Sequence, residues 1–189
     1  MNFLKIKNFL LVFLIIFSYL ISVVKTYAVD ITADSTISSS SDGDQYNIKT
    51  NNDIDVIVTN NSTLERNQKI FNVSAASLTG SSITIHLGSS VIAETNSIFS
   101  NGAELTITNT GTIEATNSKA INVSNSDGVS ITNNNNGVIK SNNNTILGDA
   151  GTGADNVTID NSGEIYTTAT GTESSAIVFA NNDTGNTIT

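Results

Sequence analysis

Residues Glu104–Ala115 read ELTITNTGTIEA, and the second half of the chain keeps rewriting that phrase. It returns as GVSITNNNNGVIK at Gly128–Lys140 and as NVTIDNSGEIY at Asn156–Tyr166, with a looser copy, SITIHLGSSVIAE, at Ser82–Glu94. Each copy is a short run of alternating apolar and hydroxyl side chains, a turn holding Asn or Gly, and a second short run built on one Ile. Alternation of this kind puts the apolar residues on one face of a strand and the hydroxyls on the other. A unit so short cannot bury its apolar face alone, so repeated copies point to a stack.

Aligned on the second apolar residue of the first strand, the copies place Ile85, Ile107, Ile131 and Ile159 in one column. A second apolar column follows at Ile92, Ile113, Ile139 and Ile165, and a third at Ile98-Phe99, Ile121 with Val123, Ile146-Leu147 and Ile177–Phe179. Three short strands in each repeat of roughly 20–30 residues describe one rung of a right-handed parallel β-helix. A leucine-rich repeat would carry Leu at its signature places, and these copies have almost none. After the outward residue of each first strand stand Asn109, Asn133 and Asn161. Rungs about 4.8 Å apart would let these amides hydrogen-bond into a ladder, a structural device and not a site. Gly111, Gly137 and Gly163 follow, and are read as turn residues with positive φ.

Upstream the pattern loosens. Asp53–Thr59 (DIDVIVT) alternates as a strand, Leu64–Lys69 reads as a charged bend, and Ile70–Val73 is a further apolar patch. Val29–Thr50 fits no repeat and is assigned to a polar cap or lead-in, as a solenoid needs at its first rung. The expected organisation is therefore a leader at 1–28, an N-terminal cap with irregular first rungs at 29–81, and regular β-helix at 82–189.

The leader has the layout of a secretory signal peptide. Lys5 and Lys7 precede the apolar run FLLVFLIIFSYLISVV at Phe9–Val24, and Thr26 and Ala28 put small residues at the places that precede a cut before Val29. Left uncut, a run approaching about 20 residues would serve as a membrane anchor, the one membrane contact foreseen. Three of the eight Lys and Arg residues lie in the leader and none of the 17 acids, so the remainder carries five against 17, a formal charge of −12. Such a chain has no basic stripe to displace counterions from phosphates, which argues against nucleic-acid binding. Cys is absent, so neither disulfides nor thiolate metal sites arise.

An export signal followed by repeats of the form ITNxGxI, as in ITNTGTIEA and VTIDNSGEI, resembles the passenger region of a bacterial autotransporter of the type V secretion family. The likeness covers the leader and about Ser82 onward. It implies a β-helical passenger exported by the Sec route, secreted or displayed at the outer membrane of a Gram-negative cell, and acting as a non-catalytic adhesin-like scaffold for a host-cell or glycan ligand. No strands of a translocator barrel, which run to about 10 residues with aromatic girdles, follow in this sequence. The chain therefore reads as the front of a longer passenger.

Catalytic, cofactor and metal residues are all expected to be none. Polysaccharide-cleaving β-helices need clustered carboxylates on one strand face. Here the residues after the second Ile are Ala93, Glu114, Lys140 and Tyr166, which offer at most a Glu114–Lys140 surface ion pair. The sole Arg, Arg66, lies outside the clear rungs. His86, the sole His, is read as an exposed strand residue beside Thr108, Thr132 and Asp160, and no Gly-x-Ser-x-Gly accompanies it. The acid-and-glycine stretches Asp42-Gly43-Asp44 with Asp53 and Asp55, and Gly148–Asp155, lack the complete nonapeptides of calcium-binding repeats and read as polar turns. Two other roles stand beside the scaffold: a carbohydrate-active β-helix enzyme, and a solenoid that self-associates through an open strand edge near Ile188.

Overall fold

The alternating runs become strands, and every strand pairs in parallel with its copy one rung away. We describe a computed structural model of the chain over residues 28–38, 44–49, 51–59, 61–74, 78–102, 104–148, 153–170, 174–180 and 183–189. Residues 1–27, which hold nearly all of the expected leader, lie outside that description. So do Asp42 and Gly43.

Among the described residues there is no helix, and nineteen strands form three parallel sheets. The first sheet stacks β2 (Ser35–Ile37), β4 (Asp55–Val58), β7 (Ser81–Ile85), β10 (Leu105–Asn109), β13 (Ser130–Asn133), β16 (Thr158–Asn161) and β19 (Thr187–Ile188). The second stacks β5 (Thr63–Arg66), β8 (Ser90–Ala93), β11 (Thr112–Ala115), β14 (Val138–Ser141) and β17 (Glu164–Thr167). The third stacks β1 (Ala28–Asp30), β3 (Gln45–Ile48), β6 (Phe71–Val73), β9 (Ile98–Ser100), β12 (Ile121–Asn122), β15 (Ile146–Gly148) and β18 (Ile177–Phe179). The chain visits the sheets in that order, so β4 to β18 make about five three-stranded turns of a parallel β-helix.

The core is the set of inward columns. Ile83, Ile107, Ile131 and Ile159 stack in the first sheet, Leu64, Val91, Ile113 and Ile139 in the second, and Phe71, Ile98, Ile121 and Ile146 in the third. All of these are essentially inaccessible to water. Full burial of an aliphatic side chain contributes roughly 1.5–3 kcal/mol, and each column repeats that gain rung after rung.

Four expectations need correction. In the looser copy the register was two residues off: Ile83, not Ile85, stacks on Ile107, and Ile85 stacks on Asn109. Its second strand is shifted as well, because Val91 faces inward on Ile113 while Ile92 turns outward beside Glu114. ITI offers Ile83 or Ile85 and VIA offers Val91 or Ile92, and only pairing with the next rung decides between them. Third, Leu64–Arg66 is no bend; it forms most of β5, with Leu64 buried between Thr63 and Glu65. Fourth, Gly111, Gly137 and Gly163 do not have positive φ.

Positive φ sits at other corners, one of them three residues before Val56, Ile83, Ile131, Ile159 and Ile188 but not before Ile107. Asp53, Gly80, Gly128, Asn156 and Gly185 occupy it, with φ from 53° to 75°. Gly, Asn and Asp are the residue types that tolerate this conformation. Gly137 is required for a different reason: a Cβ there would lie 2.1 Å from Asn133 Oδ1 and 2.7 Å from Asn109 O. No side chain fits beneath the amides that pack over it.

Candidate functional site

The expected amide ladder is present and is internal. Asn109, Asn133 and Asn161 extend the inward columns of β10, β13 and β16 in register. Asn109 Nδ2 donates to Asn133 Oδ1 at 2.9 Å, and Asn133 Nδ2 donates to Asn161 Oδ1 at 2.8 Å. The same amide groups bond the backbone of the turns, as Asn109 Oδ1 accepts from Gly111 N at 3.1 Å and Asn133 Nδ2 reaches Gly137 O at 3.2 Å. Asn109 and Asn133 are fully buried. Buried amides that satisfy each other and the turn backbone hold register; they are closed to ligands.

A second ladder, on the outside of the third sheet, escaped the sequence reading. Asn72 Nδ2 donates to Asn47 Oδ1 and Asn47 Nδ2 to Asp30 Oδ1, both at 3.1 Å. Lys49 Nζ also reaches Asp30 Oδ1 at 3.2 Å, and with Asn47 it draws that exposed carboxyl below its ordinary pKa. The signal was present in Tyr46-Asn47-Ile48 and Phe71-Asn72-Val73, where Asn lies between two inward residues.

The chemically most varied surface is the outward face of the second sheet. Its central column runs Glu65, Ile92, Glu114, Lys140, Tyr166, with Ile92 in the place assigned above to Ala93, which is instead buried. Lys140 Nζ lies 3.0 Å from Glu114 Oε2, with both side chains about a quarter exposed (28% and 26%). The hydrogen bond to Glu114 raises the Lys140 pKa against a smaller opposing effect of burial, with further help from the Glu114 charge. Tyr166, 38% exposed, ends the column. Strand pairing places Val138 and Glu164 beside this column, one residue before Ile139 and Ile165. The result is a shallow face with an aromatic ring, an ion pair and two aliphatic side chains, suited to holding a ligand by stacking and hydrogen bonds.

The remaining candidates do not join it. His86 is exposed, and its Nδ1 lies 3.2 Å from Thr59 Oγ1. The place beside Thr108, Thr132 and Asp160 belongs to Thr84, because the register shift carries His86 two residues further along. Arg66 shares a column with the buried Ala93, and its Nε and Nη1 are shielded from solvent without a hydrogen-bond partner. Desolvation lowers its pKa, partly offset by the charge of Asp44. The carboxylates near the Gly148–Asp155 stretch cap turns: Asp155 Oδ1 accepts from Thr184 N at 2.6 Å, and Asp183 Oδ1 from Ala154 N at 3.0 Å. Among the described residues no group of three or more His, Asp or Glu side chains is placed to hold a metal ion. No family model matches the chain, and no curated protein or solved structure matches it either.

Proposed function

We propose that the chain is an exported, non-catalytic β-helical scaffold of the autotransporter-passenger type, which presents its outward sheet faces for adhesion at or beyond a Gram-negative cell surface. The observation that carries the reading is the union of a leader-like N-terminus with a stack whose amide ladder and turn carboxylates are spent on holding rungs together. The ladder amides, the turn carboxylates and the Glu114–Lys140 pair are each tied to a partner in the fold. In the second-sheet column, Ile92 stands between Glu65 and Glu114, and Glu114 is held by Lys140. That arrangement supports ligand holding better than glycan hydrolysis, which needs an acid and a base free to exchange protons. The face centred on Lys140 and Tyr166 is the recognition surface in this reading, and a glycan or host-cell receptor its ligand.

Expression of the whole chain in a Gram-negative host, with fractionation and intact-mass measurement, tests the export half. A processed form beginning at Val29, outside the cytoplasm, is expected. Full-length chain confined to the cytoplasm would refute it. Adhesion is tested by binding of the purified exported form to glycan arrays and host cells; it should weaken in Tyr166→Ala and Lys140→Ala.

A further inference from the structure

The outward face of the first sheet differs from the other two in being a lattice of hydroxyls. One outward column runs Ser82, Thr106, Ser130, Thr158, Thr187, and the parallel one runs Thr84, Thr108, Thr132, Asp160. Between the columns an Ile lies on each strand from β7 to β19, so these strands carry a hydroxyl–Ile–hydroxyl triplet broken only at Asp160; the pattern stops at β4, where Asp55-Val56-Ile57 takes the same register. Strand geometry sets the spacings at about 4.8 Å from rung to rung and about 6.6 Å along the strand. Thr is stiff about χ1, so the methyl and hydroxyl of Thr84, Thr106, Thr108, Thr132, Thr158 and Thr187 stand in nearly fixed directions.

Good strand-forming tendency explains an outward Thr at any one position. It does not explain why charge is kept away from this face in an acidic chain. The second sheet carries Glu65, Glu114, Lys140 and Glu164 outward, and the third carries Asp30 with its ladder. From β7 to β19 Asp160 is the sole charge in the two hydroxyl columns; on β4 the first column continues into Asp55, which accepts a hydrogen bond from Ser82 Oγ at 2.6 Å. There is also no aromatic side chain in these columns to stack on a sugar ring.

We propose that this face binds ice. An uncharged surface repeating in two directions is matched by a partner that repeats in two directions, and the oxygen repeats on the faces of hexagonal ice lie near both strand spacings. Methyl groups order the water over the sheet while hydroxyls tie that ordered layer to the lattice. Each contact is weak, but a rigid stack engages all its rungs at once, so the contacts add without a further cost of ordering the protein. The inference is independent of export and adhesion, and rests on the register of one sheet.

The test is growth of single ice crystals in a solution of the whole chain, recording crystal shape and the gap between melting and freezing points. Facetted crystals and a measurable gap are expected. Thr108→Tyr with Thr132→Tyr keeps good strand formers but breaks the lattice, and should abolish both effects while circular dichroism stays unchanged. Asp160→Thr repairs the interrupted column and should widen the gap, a gain that loss of folding cannot imitate. Glu114→Gln with Lys140→Gln, on the second sheet, should leave the gap as it was. Round crystals with no gap in the unaltered chain would overturn the proposal. So would an undiminished gap in a folded double-Tyr variant, or no increase in Asp160→Thr.

Discussion

Asn133→Ala is the sharpest perturbation of the stack. Asn133 is fully buried, accepts from Asn109 Nδ2 at 2.9 Å, and donates to Asn161 Oδ1 at 2.8 Å. Its amide also reaches Gly137 O and Glu164 O, both at 3.2 Å. Truncation deletes two ladder bonds at about 1 kcal/mol each. It also strips the half-buried Asn161 Oδ1 of its ladder donor, a loss near the lower end of the about 1–3 kcal/mol that an unsatisfied buried acceptor costs. Asn109 Nδ2 keeps weaker contacts to Gly111 O at 3.2 Å and Val138 O at 3.3 Å, which limits the loss on that side. The expected destabilisation is about 3 kcal/mol, whereas Asn161→Ala, at a half-buried position that accepts one ladder bond, should lose about 1 kcal/mol. Urea titration followed by circular dichroism reads both as shifts in midpoint at unchanged slope. A loss below about 0.5 kcal/mol for Asn133→Ala, the range of ordinary surface changes, would refute the claim that the ladder stabilises the stack.

Other perturbations bear on the same architecture. Gly137→Ala forces a methyl to within 2.1 Å of Asn133 Oδ1 and should cost about 1–3 kcal/mol by thermal or urea unfolding. Ile107→Ala empties a fully buried place and should cost about 2–5 kcal/mol, while Thr108→Ala, facing outward, should stay within about 0.5 kcal/mol. The raised pKa of Lys140 means its charge favours the folded chain. That share of stability is fully present below the unfolded lysine value of about 10.4 and disappears as pH rises through the higher folded value. Because both partners are partly exposed, Lys140→Gln at neutral pH should cost at most about 1 kcal/mol, less in high salt, as unfolding midpoints at two ionic strengths will show.

Much of the fold was legible because the pattern repeats. Strand alternation around Ile107, Ile131 and Ile159 fixed which residues face inward, and three apolar columns per repeat gave the three sheets. The Asn ladder followed from one residue type at one place in each clear copy. Where copies were less alike, the sequence held two equal choices: Ile83 or Ile85, Val91 or Ile92. Local alternation cannot separate the first pair, since a shift of two residues keeps the same faces, and the second pair differs by one residue that swaps them; only pairing with the neighbouring rung selects one. β5 was missed because its single inward aliphatic residue, Leu64, is followed directly by Glu65 and Arg66. The glycines were assigned to the wrong cause, since crowding (by backbone carbonyls of the preceding rung at Gly111 and Gly163, by the Asn133 amide at Gly137) and a left-handed corner leave the same mark in a sequence. The outer face around Lys140 and Tyr166 was half visible, because its membership depends on the register that placed Ile92 there.

The account stands on parallel stacking in the stated register, and paired cysteines test it directly, since the chain has none of its own. Thr84 and Thr108 are direct neighbours on adjacent strands. Their Cα atoms are about 4.8 Å apart, within disulfide reach. His86 and Thr108 are offset by two residues and about 8 Å apart, beyond that reach. The register predicts rapid oxidation of Thr84→Cys/Thr108→Cys within one folded chain, and little in His86→Cys/Thr108→Cys. The reverse preference, or equal oxidation of both pairs, would contradict it.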